Sequence, residues 1–147
     1  MKNQWMTWCC ATALLCVPLT ARAEEEKEKT KLGEQMEATN DAFKALRRET
    51  DPVKGAAHAR EAQQAVLKSL VEIPAMVAKM PEGPEKAKAA AEYRKMVGKV
   101  FVTFCEIEEA FLNGKGDEVP KLIDSLKEMK KTGHDKFVEE EEDEEKK

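Results

Sequence analysis

Tyr93, Val97, Val100, Phe104, Ile107 and Phe111 recur at intervals of four, three, four, three and four residues. That spacing holds large apolar side chains on one stripe of an α-helix for about five turns, and no strand could use it, because strand faces alternate every second residue. A helix with such a stripe must bury it against other helices. The rest of the chain supplies three. From Lys31 onward Leu32, Met36, Thr39 or Asn40, Phe43 and Leu46 recur three or four apart. Thr50-Asp51-Pro52 breaks that pattern, with Asp51 suited to N-cap a second helix and Pro52 to its first position. The second helix carries Ala56, Ala59, Ala62, Val66, Ser69 or Leu70, and Ile73, and Pro74 is expected to end it. Val119, Leu122, Ile123, Leu126 and Phe137 give the fourth helix its core face.

The connections fix how these helices meet. Pro74 to Pro84 is the longest link, with Pro81-Glu82-Gly83-Pro84 its most rigid part and Pro84 the start of the third helix. Asn113-Gly114-Lys115-Gly116 is a turn, and Asp117 is expected to cap the fourth helix. There is no alternation long enough for a strand, and no internal repeat. Two short links and one longer middle loop predict an all-α protein, an up-down-up-down antiparallel four-helix bundle.

The ends differ from this body. Trp5 to Leu19 is mostly apolar, preceded by a weakly basic start and followed by Ala21-Arg22-Ala23, a small-x-small cleavage pattern. Residues 1–23 therefore read as a secretory signal peptide, too short and wrongly flanked for a membrane span, with an uncleaved anchor the rival reading. None of Cys9, Cys10 and Cys16 follows the small residue of a lipoprotein site. Residues 24–138 form the bundle domain, and residues 139–147 are an acidic tail expected to be disordered.

Removing residues 1–23 takes away three of the four cysteines and both tryptophans. The remaining 124 residues suffice for one domain with a real core. They carry 23 basic and 29 acidic side chains, a net −6, and seven of those acids lie between Glu139 and Glu145. The body is nearly balanced, so nothing points to nucleic acid or anionic lipid as partner. Cys105 alone cannot close an intramolecular disulfide and reads best as a small buried hydrophobe. An exported chain without a disulfide depends on its core, a metal or a cofactor.

In the expected topology the first and fourth helices are antiparallel neighbours, which brings Met36 and His134 to the same pole. His58 falls at the opposite pole. A thioether and an imidazole can fill both axial positions of a haem iron, and bundle cores host such cofactors. Taken singly, Met36 reads as a core methionine, His134 as a surface cation near a helix C-terminus, and Met76, Tyr93 and Met96 as packing.

A longer pattern links these residues. Met36-Glu37-Ala38-Thr39-Asn40-Asp41 resembles the Met-Glu-x-x-Asn-Asp of the cytochrome b-562 family, whose methionine ligates haem. Pro81-Glu82-Gly83-Pro84-Glu85 is similar to that family's Pro-x-x-Pro-Glu opening of helix three, and Val97-Gly98 to a Val-Gly within it. Leu126-Lys127, Lys130 and His134 resemble its closing Leu-Lys…Arg-x-x-x-His, whose histidine is the second ligand. The resemblance runs from about Leu32 to Phe137. It implies one non-covalent haem b per chain, with Met36 and His134 as axial ligands and Lys130 near a propionate. Met76, Pro81 and Tyr93 would line the pocket.

Three positions depart from the family. Lys130 stands for an arginine, Gly133 for an aromatic and Ala89 for a second pocket aromatic. The absence of Cys-x-x-Cys-His argues against covalent attachment. The implied function is a soluble periplasmic electron-transfer protein with an unidentified redox partner and no membrane span after signal cleavage. A haem-free interaction protein that keeps the bundle is the alternative. An enzyme is not indicated, for there is no nucleophile triad, phosphate loop or Glu-x-x-His set.

Overall fold

The computed structural model describes residues 30–138, so the expected signal peptide and acidic tail lie outside the described residues. Four main helices, α1 (Lys31–Leu46), α2 (Pro52–Ser69), α4 (Pro84–Leu112) and α5 (Val119–Phe137), pack antiparallel. A single extra turn, α3 (Ala75–Ala78), occupies the middle loop. The backbone of α1 packs on α2, α2 on α4, and α4 on α5, whereas α1 and α5 scarcely approach each other.

Local chemistry sets most of these boundaries. Thr30 N-caps α1, its Oγ1 accepting from the Gly33 amide at 3.1 Å. Asp51 caps α2 as expected, accepting from the amides of Val53 and Lys54 at 2.9 and 3.0 Å, with Pro52 in the first turn. The far end of α4 closes on Gly114, whose φ of 69° lies in the left-handed region. Its amide donates to Phe111 and that of Lys115 to Ala110, the paired bonds that satisfy terminal carbonyls.

Two expected boundaries move. Helix α2 stops at Ser69, short of Pro74, and Ile73 is exposed rather than on the core face. Ser69 Oγ donates back to the Val66 carbonyl at 2.8 Å, and the Tyr93 hydroxyl donates to the Ser69 carbonyl at 3.0 Å. The Ser69 carbonyl is one that another helical turn would have used, and the Tyr93 hydroxyl satisfies it instead. Asp117 does not cap α5. The Glu118 and Val119 amides bond to Lys115 and Gly116, a tight turn that contains Asp117, so the helix starts at Val119 with Pro120 beside it.

The core joins Phe43 and Leu46 of α1, the alanines and Val66 of α2, Tyr93, Val97, Phe104, Ile107 and Phe111 of α4, and Val119, Ile123 and Leu126 of α5. Burying Phe104 or Leu46 contributes roughly 1.5–3 kcal/mol each before packing effects. The small side chains of α2 leave room for the large ones of α4. The Phe111 ring lies on Gly55 so closely that an added Cβ would stand 2.6 Å from it. Between the same helices Glu108 accepts from Arg60 and from Gln63, the latter at 2.6 Å. Cys105 is only partly buried, at the edge of the core rather than inside it.

Candidate functional site

One side-chain bond crosses between the two helices that barely touch at the backbone and marks their register. Lys130 Nζ of α5 donates to Asn40 Oδ1 of α1 at 2.9 Å. Met36 lies four residues before Asn40 and His134 four residues after Lys130. Since the helices are antiparallel, both steps run toward the same pole, by about 6 Å each, and both stay on the face that carries the bond. Met36 and His134 are thus at one level on opposite sides of the α1–α5 seam. His58, by contrast, sits in the early turns of α2 and bonds Glu61 through Nδ1 at 3.2 Å.

Neither side chain of this pair is committed elsewhere. Met36, which the sequence stripe placed among the packing residues, is 40 % exposed, while Phe43 and Leu46 of the same stripe are buried. The imidazole of His134 is exposed and makes no hydrogen bond or ion pair with another described residue. A thioether and an imidazole are two donor types that bind haem iron.

The surroundings are built by α4 and the middle loop. Tyr93 is buried, its hydroxyl on Ser69 and its ring 5.5 Å from that of Phe137 in an edge-to-face pair. Burial pushes the Tyr93 pKa up to about 12 from its usual 10. Lys136 of α5 bonds Glu92 of α4, each the residue just before its member of this ring pair. Met76 is half-buried in α3, and Lys86 Nζ holds that turn to α4 through the Ala78 carbonyl at 3.0 Å. Pro81 is exposed in the turn before α4. Of the six residues singled out, Met36 and His134 lie toward the pole that α3 and the start of α4 close, Tyr93 is buried near it, Met76 is half-buried in α3, Pro81 stands at the surface, and Lys130 is occupied by Asn40 one turn away.

Sequence reasoning missed the Asn40–Lys130 bond and the place of Met96. Asn40 appeared only as a stripe member, and nothing in a local pattern pairs residues ninety positions apart. None of the five methionines of residues 30–138, Met36, Met76, Met80, Met96 and Met129, is fully buried. A shallow cavity of about 100 Å³ lined by Lys44, Arg47 and Arg48 is at the other end of α1, roughly 12 Å or more along the axis from Met36. It has no connection with this pair.

No helix among the described residues is long and apolar enough to cross a membrane. A comparison with curated proteins gave no match. The family model of cytochrome b562 matches residues 31–138, from the first residue of α1 to just past the end of α5. With the helices, the seam and the model all covering the same stretch, the chain belongs to the cytochrome b562 family.

Proposed function

We propose that this protein is a soluble periplasmic electron carrier that holds one non-covalent haem b between α1 and α5, with Met36 and His134 as its axial ligands. Cytochrome b562 proteins are electron carriers, not enzymes. The observation that carries the proposal is the shared level of Met36 and His134, one turn beyond the Asn40–Lys130 bond, with both side chains uncommitted. The donor set suits the group. Haem supplies one-electron chemistry at iron, and a thioether opposite an imidazole raises its reduction potential.

Each neighbouring residue then has a part. Two protein ligands leave no open position for oxygen or a substrate, which favours electron transfer over catalysis. Tyr93 and Phe137 would give it an apolar wall, and Met76 in α3 and Pro81 in the following turn would flank its loop side. Lys130 would offset the charge of a propionate. Gly133 and Ala89 stand where the family has aromatics, so the pocket relies on flexible methionines to fill space that rings would have filled. The seven acids of Glu139–Glu145 follow α5 directly and would steer a basic redox partner toward this pole at low salt.

Haem uptake is tested by thermal unfolding of the mature chain with and without haemin. A ligand that binds only the folded state raises the melting temperature, and the rise grows with ligand concentration. An unchanged melting temperature over a wide haemin range would favour the haem-free interaction protein instead.

A further inference from the structure

Gly133 stands inside α5, one residue before His134, where glycine is the poorest helix former after proline. Its lack of a side chain has an occupant. A Cβ built at Gly133 would stand 3.3 Å from Met96 Cε and 4.0 Å from Met96 Sδ, whereas Gly98, also mid-helix, has nothing within 4 Å. The contact belongs to a run of three down the α4–α5 seam, with Glu92–Lys136 and Tyr93–Phe137. The Met96 methyl therefore fills a notch directly beneath the backbone that carries the imidazole.

We infer that Met96 is a positioning residue for haem ligation: by filling the notch at Gly133 it sets how the last turns of α5 lie on α4, and so where His134 stands in the α1–α5 seam. The inference rests on the reading of His134 as an axial ligand. An empty notch lets the end of α5 settle onto α4 and carries His134 out of level with Met36. An overfilled notch pushes α5 away, with the same consequence for the ligand pair. Interiors are packed closely enough that a shift of this kind is transmitted along a helix rather than absorbed. Methionine suits the place because its unbranched end adapts to a shallow, irregular space. Leucine has nearly the same volume and is the conservative replacement.

The test uses the mature chain, with wild type, Met96→Ala, Met96→Leu, Gly133→Leu and His134→Ala each titrated with haemin. Reduction potential and the low-spin bands are read on every variant that takes it up. Met96→Ala and Gly133→Leu are expected to weaken haemin binding on the order of tenfold and to shift the potential, as changes behind a metal ligand do, while Met96→Leu restores wild-type values. In the haem-free protein a nuclear Overhauser contact is expected between the Met96 methyl and the Gly133 α-protons. Absence of that contact overturns the inference. So does a Met96→Ala variant with wild-type affinity and potential beside a His134→Ala variant that has lost both, whatever its melting temperature. A wild type that takes up no haemin overturns the ligation reading, and the inference with it.

Discussion

Lys130 Nζ lies 2.9 Å from Asn40 Oδ1, across ninety positions of sequence and between two helices whose backbones scarcely meet. The bond reports the antiparallel register of α1 and α5, in which Met36 and His134 each lie one turn beyond it toward the same pole. Because the bond lies at the surface, with Lys130 exposed and Asn40 half-buried, it contributes little to folding. Asn40→Ala should cost no more than about 1 kcal/mol in urea unfolding of the haem-free protein. It should weaken haemin binding by a larger factor than that loss accounts for. Equal losses in the two measurements would make the bond a fold contact only.

The Phe111 ring leaves no room for a side chain at position 55. An alanine at 55 gains helix propensity of about 1 kcal/mol but drives its Cβ to 2.6 Å from a buried ring. Overpacking of this kind costs typically 1–3 kcal/mol, so Gly55→Ala should lower the melting temperature and Phe111→Leu should recover part of the loss. The two substitutions together, compared with each alone, measure the coupling.

Tyr93 is the one tyrosine in the chain, so tyrosinate absorbance reports on it without interference. Burial raises its pKa to about 12. The folded state thus disfavours the anion. The stability this contributes is complete below pH 10, the ordinary tyrosine value, and is lost as pH rises through about 12. The wild type should lose stability over that range more steeply than Tyr93→Phe. Superimposable pH profiles for the two proteins would mean that the ring is reached by solvent.

Glu108 titrates at the other end of the scale. Burial raises its pKa, but the bonds from Gln63 and Arg60 outweigh that and hold it below the usual 4.5. Its stability contribution is present above that value and disappears as pH falls through the lowered one. Acid unfolding of Glu108→Gln should therefore show a shallower pH dependence than wild type in the acidic range, measured by circular dichroism at fixed temperature.

The bundle was legible because its signals are local. The stripe from Tyr93 to Phe111 and the Asp51-Pro52 start both report on residues within a turn or two, and both hold in the folded chain. The misread boundaries have distant or competing causes. Helix α2 ends at Ser69 because a hydroxyl from Tyr93 takes its carbonyl, and Asp117 lost its cap to a turn that starts at Lys115. Met36 matched the apolar period of α1 yet is 40 % exposed, since periodicity does not tell which part of a stripe meets a neighbour. The candidate site was half legible. Its six residues came from a resemblance, whereas the bond between α1 and α5 and the notch that seats Met96 exist only after folding.

The most direct measurement is the visible spectrum of the mature protein titrated with haemin, oxidised and reduced, beside Met36→Ala and His134→Ala. The account predicts saturation at one haem per chain with sharp low-spin reduced bands. Loss of the thioether should leave a bound but altered, high-spin spectrum, and loss of the imidazole should weaken binding most. Low-spin bands that survive both substitutions unchanged would contradict the assignment of Met36 and His134.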